Sequence, residues 1–228
     1  MEYEENVKNA KNIESAENVE NVCAVIRAGR CMVKQYFDEI IIRERMEEKK
    51  KGFTDTYTGM YAGARRIEFQ EVELFSGEKT LEPVWIRLPT GFTALEQEQA
   101  KRKYPSENRP QRIFADEENR VNFTFSAFRQ RASQEQLKGT LIRYRALIKK
   151  LRQDAEILDT GSYSVEEGCG EWFSFRNDTL DEPVFNLLAL MGRKQQLILC
   201  MCNCYGEERE DWEPIMHQVI QTIQEGKR

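Results

Sequence analysis

Two apolar runs near the end of the chain, 184–191 (VFNLLALM) and 196–205 (QLILCMCNCY), constrain its fold more than any other feature. Each is strand length and far too short to cross a membrane as a helix. Only the polar turn GRKQ separates them, and a connection that short pairs neighbouring strands antiparallel. The second run carries cysteines at 200, 202 and 204. Along a strand, alternate residues face the same way about 6.6 Å apart. Zinc held at about 2.3 Å by two thiolates needs their sulfurs within about 4 Å. A regular strand therefore places these thiols badly for metal binding or for a disulfide between neighbours. It places them well for packing, with Ile198, Cys200, Cys202 and Cys204 on one face and Met201, Asn203 and Tyr205 on the other. Burial of the cysteine face under the last helix would fit packing, and exposure would fit a thiol or metal sensor.

The preceding segments read as further strands and helices. ARRIEFQEVELF alternates and EPVWIRLP follows it as a second strand. Thr93 to Glu96 has capping-box spacing and predicts a short helix over 94–103 capped by Thr93. The loop KYPSENRPQ breaks that helix with two prolines. RIFADEENRVNFTFSAF reads as a hairpin turning at 116–119. Ser133 opens a second capping box and a helix over 134–152, whose stripe is Leu137, Leu141, Tyr144, Ile148 and Leu151. Strands are expected at 155–164, 171–177, 184–191 and 196–205, then a helix with stripe Trp212, Met216, Val219 and Ile223. Strands in series with helices in the middle and at the end predict an α+β fold, an antiparallel sheet flanked by helices. Residues 61–228 are expected to form one domain. Residues 1–60 read as an extension, partly helical or disordered, rich in Asn and Glu at its start.

Charge is unevenly spread. Residues 101–152 hold fourteen Lys or Arg and five Asp or Glu, a local +9 within a chain of net −5. The remainder thus carries −14, and a basic middle of this kind suits an anionic partner or the protein's own acidic parts. No apolar run is long enough for a membrane span. The acidic N-terminus lacks the basic, then apolar, order of a signal peptide, so the expected compartment is the cytoplasm, where the six cysteines would be thiols.

IRLPTGFTALEQ and the closing hairpin with its helix (LLALMGRKQQLILCMCNC … DWEPIMHQVIQTI) resemble the PsbP/Mog-like fold, including the DcrB-like bacterial proteins. The strand ending Leu88-Pro89-Thr90-Gly91-Phe92 resembles the opening of that fold. The resemblance spans about 85–223. It implies binding of other proteins or help in assembling complexes, in some cases as a chaperone, and it brings no catalytic residues and no cofactor.

The residues themselves offer few catalytic patterns: no phosphate-binding loop and no Gly-x-Ser-x-Gly. Cys169, on what reads as a Gly-flanked turn among glutamates, should have a raised pKa and be a poor nucleophile. His217 reads as a bystander at the edge of the core. The expectation is a non-enzymatic protein-binding module without cofactor or bound metal, whose partner and oligomeric state are unknown. Tyr104, Arg109 and Arg112 in the proline loop region, and Lys138, Arg145 and Lys149 on the basic helix, are the candidate partner-binding residues. Nucleic acid is not expected, since no surface aromatics interleave the cations. A small-ligand pocket near Trp85, Trp172 and Phe175 is the alternative, alongside the cysteine sensor.

Overall fold

The computed structural model describes residues 67–76, 82–165, 168–179 and 182–226. The expected N-terminal extension lies outside the described residues. β1 (Phe69–Phe75) and β2 (Val84–Pro89) form an antiparallel pair. A bulge between Glu73 and Phe75 explains the loose alternation of this strand, because it lets Leu74 and Phe75 both turn inward.

Next come a two-residue strand, β3 (Thr93–Ala94), and α1 (Gln97–Lys103). Thr93 does not cap this helix. β3 pairs with Phe114 and Ala115, which holds Thr93 and Ala94 extended. Glu96 is the N-cap instead, in a capping box with Gln99, whose side chain accepts from the Glu96 amide at 3.3 Å.

β4 (Arg112–Ala115) and β5 (Asn122–Phe128) form the expected hairpin. Asn119, at a φ of 56°, takes the left-handed turn position that asparagine tolerates best among non-glycine residues. α2 (Gln134–Leu151) starts in the Ser133 capping box, where the Ser133 hydroxyl accepts from the Gln136 amide at 3.3 Å. Leu137, Leu141, Tyr144 and Ile148 are buried, whereas Leu151 in the last turn is 41% exposed.

Four strands follow: β6 (Glu156–Val165), β7 (Gly168–Asn177), β8 (Val184–Gly192) and β9 (Leu197–Tyr205). A 3₁₀ turn leads into α3 (Arg209–Gln221), and β10 (Gln224–Glu225) returns to pair with β2.

Seven strands make the main sheet in the order β3-β4-β5-β9-β8-β7-β6, with every neighbouring pair antiparallel. β1, β2 and β10 make a second, three-stranded sheet. The main sheet has a core on each face. One face packs Phe123, Phe125, Leu187 and the β9 cysteines against Trp212, Met216 and Val219 of α3 and the inner residues of β2. The other packs Leu188, Leu199, Met201 and Phe173 under the α2 stripe. Sheet with helices on both sides is a common layer solution for burying two apolar faces.

Candidate interaction surface

The α2 helix turns its stripe into the core and leaves a flank beside it. At about 100° per residue, Lys138, Ile142, Arg145 and Lys149 fall together on that flank. Ile142 is 56% exposed, a large apolar side chain with Lys138 and Arg145 about one turn to either side of it and Lys149 two turns on. Below the flank lies a groove of about 330 Å³, open to solvent. Lys138, Leu141, Ile142 and Arg145 form one wall, and Thr160, Ser162 and Phe173 of β6 and β7 form the other.

Glu171 closes one end of the groove. It is 6% exposed, and its carboxylate accepts the Ser162 hydroxyl at 2.7 Å and the Gln134 side-chain amide. Lys138 reaches the same oxygen at 3.9 Å while staying largely exposed. One buried carboxylate thus accepts two hydrogen bonds and faces Lys138 across a long ion pair.

The loop candidates behave differently. Tyr104 is fully buried in the α2-side core, so it is not a surface anchor, which corrects the sequence expectation. Tyr104 is the C-cap of α1, and it joins the core that holds the α2 stripe. Arg109 donates to the Tyr104 carbonyl at 3.0 Å, and Arg112 donates to the Leu74 carbonyl at 3.1 Å. Arg109 thus closes the loop on itself, and Arg112, on β4, reaches β1. Lys103, one of the cations of the basic middle, is buried and donates to Asn122 at 2.6 Å. On α2, the Lys149 ammonium donates to the Ala155 carbonyl. Arg152 pairs with Asp154 at 2.9 Å.

Trp85, Trp172 and Phe175 do not share a pocket. Phe175 is buried on the α2 side, Trp172 packs on the α3 side, and Trp85 lies on β2 in the second sheet. Sequence reasoning missed Ile142, Thr160 and Ser162. The signal for Ile142 was present: it is apolar yet off the stripe.

The cysteine face does lie under α3. Cys200, Cys202 and Cys204 are buried in the same core as Trp212. Burial pushes all three thiols up, and Cys200 and Cys204 raise Cys202 further. Cys169 is on strand β7 rather than a turn, because β7 begins at Gly168 and pairs Cys169 with Ser164 and Gly192. Half-buried, it donates weakly to the Ala132 carbonyl at 3.5 Å. Its pKa is raised first by burial and then by Glu171. His217 is no bystander: its Nδ1 lies 2.6 Å from the Tyr163 hydroxyl, and its ring meets Trp172 edge-on at 4.4 Å. Burial lowers its pKa and raises that of Tyr163.

No family model matches the chain, and no curated protein matches it. Among solved structures, it is similar to the cyanobacterial PsbP protein CyanoP from Synechocystis, at 12% identity and a TM-score of 0.51, covering 73% of this chain and 98% of that one. It also aligns with LpqN of Mycobacterium tuberculosis, a protein involved in cell envelope biogenesis, at 11% identity and a TM-score of 0.43, covering 68% and 91%. A Pseudomonas aeruginosa protein of unknown function aligns at 8% identity and a TM-score of 0.40, covering 70% and 99%. At these identities the likeness to CyanoP shows the fold, which is PsbP-like, and nothing about activity.

Proposed function

We propose, with the PsbP-like fold as the premise, that this chain is a non-catalytic module that binds a protein partner, in an assembly or chaperone role. The observation that carries the reading is Ile142, exposed on the α2 flank among Lys138, Arg145 and Lys149. An apolar residue flanked along the helix by cations, one of them arginine, has the make-up of an interface.

The ionisable groups support a non-enzymatic reading. The nucleophilic form of cysteine is the thiolate, and burial holds the β9 thiols and Cys169 protonated. The same burial speaks against the sensor alternative. Free thiols at Cys169, Cys200, Cys202 and Cys204 fit a reducing compartment such as the cytoplasm. Among the described residues, no helix is long and apolar enough to cross a membrane.

Photo-cross-linking from position 142 in native lysate tests the reading. The expected result is a defined protein adduct that is lost when Arg145→Glu and Lys149→Glu are combined. An adduct that survives the reversal, or no adduct at all, removes it. The groove favours one second reading, a small ligand seated against Leu141 and Phe173. A metabolite screen by thermal shift, repeated on Leu141→Trp to fill the groove, decides that.

A further inference from the structure

β6 is an edge strand. Among the described residues it pairs with β7 alone, and its outer side carries no neighbouring strand. Edge strands invite pairing with foreign chains, and proteins defend them with charges, bulges and prolines. On β6 these defences sit in one half. Glu156 and Asp159 are charged, and the register slips between Ile157 and Thr160. The Asp159 side chain also accepts from the Thr160 amide at 2.7 Å. Residues 161–165 (GSYSV) have no charge, no proline and no bulge. Gly161 and Ser162, at the start of this open half, line the groove under Lys138, Ile142 and Arg145.

Resting on the binding-module reading above, we propose that residues 161–165 accept an extended acidic segment of another protein as an added strand. Main-chain hydrogen bonds to β6 would hold the segment, and its alternate side chains would reach the groove. The groove-facing side chains meet the exposed Lys138 and the half-buried Arg145, which suits acidic residues, and the alternate ones turn to the other face beside Val165 and Trp172, which suits apolar residues, so the matching strand alternates the two. Glu171 is buried, and Lys138 stands between its carboxylate and solvent as its ion-pair partner, which limits its repulsion of an acidic segment. The chain's own acidic start fits less well. Val19, Val22 and Val25 recur every three residues rather than every two, which is not a strand period.

The probe is a fluorescein-labelled eight-residue peptide alternating valine and glutamate, titrated with the full chain and read by anisotropy. We expect saturable binding that weakens with salt. Lys138→Glu with Arg145→Glu should cost at least roughly tenfold in affinity, since both attraction and steering are reversed. A valine–lysine peptide should not bind. Methylating alternate backbone nitrogens of the valine–glutamate peptide should abolish binding, a result that side-chain attraction alone would not give. Equal binding of both peptides, or indifference to N-methylation, overturns the proposal. So does a carbodiimide cross-link within one chain from Lys138 to a glutamate among residues 1–20, accompanied by exclusion of the peptide. A position-142 adduct with no peptide binding would keep the binding module and discard strand addition.

Discussion

β9 and β6 have nearly equal lengths and belong to one sheet, yet their environments are opposite. β9 is the central strand, flanked by β5 and β8, and eight of its nine residues are buried. β6 is the other edge, and only Tyr163 of its ten residues is buried. Position in the sheet, more than residue type, sets what a side chain can do. Three thiols on β9 become inert core, while Thr160 and Ser162 on β6 line an open groove. The difference also divides the risks. β9 can be harmed by any polar intrusion, and β6 by unwanted pairing.

The most forceful way to break this contrast is to remove the cover over β9. Trp212 is 1% exposed and meets Phe92 edge-on at 5.5 Å. Trp212→Ala should cost about 3–5 kcal/mol in urea denaturation, the usual range for emptying a large aromatic site. It should also speed labelling of Cys200, Cys202 and Cys204 by a thiol reagent in the native state. Unchanged labelling would mean that α3 does not seal the cysteine face.

A milder intrusion tests the strand itself. Cys202 is fully buried between Leu187 and Phe123 of the adjoining strands. Cys202→Ser puts a hydroxyl into an apolar site and should cost about 1–3 kcal/mol. Serine on an exposed strand position would cost almost nothing. A neutral result in chemical denaturation would mean that β9 is less enclosed than its neighbours imply.

The β9 hairpin, the α2 stripe and the Ser133 cap were legible because each rests on local spacing. Alternation, a three-and-four step and a four-residue box all lie within a few residues of chain. What was not legible depends on partners distant in sequence. β5 lies next to β9 although about seventy residues separate them. No local pattern announces that pairing, and it is what buries Asn122 and with it the Lys103 ammonium. Thr93 lost its capping role to a pairing with Phe114 and Ala115. Tyr104 read as surface because its loop is proline-rich, but loop composition does not report which way a ring turns. Of the basic-helix candidates, Lys138, Arg145 and Lys149 do share one flank, as their spacing implies. The edge beneath them was hidden, since a strand's place in the sheet is a property of the whole topology.

Between the two strands stands His217, which bridges α3 to the Tyr163 hydroxyl of β6. It also sits within the influence of Glu213 and Asp159, which raise its pKa, but burial outweighs them and holds it below the ordinary histidine range. The folded protein therefore resists protonating it. As pH falls through the ordinary histidine range, the unfolded chain takes up the proton first and native stability declines, levelling once the folded histidine titrates. His217→Gln should flatten this part of the stability–pH curve relative to wild type. Identical curves would show that His217 is as free as it is in the unfolded chain.

The smallest effect belongs to the edge. Thr160 is exposed on β6, opposite Phe173 of β7. Thr160→Val keeps the β-branched shape and removes only a hydroxyl for which no hydrogen bond is needed in solvent. Its cost should stay within about 0.5 kcal/mol, as for most surface changes. Urea denaturation beside Cys202→Ser makes the measurement a paired one: one hydroxyl gained in the middle of the sheet, one lost at its rim. If the rim change costs as much as the central one, β6 is covered by something that shields it as β5 and β8 shield β9. The open edge, and the strand addition argued from it, would then have to be given up together. A small cost at the rim leaves the outer side of β6 free, as an added strand requires.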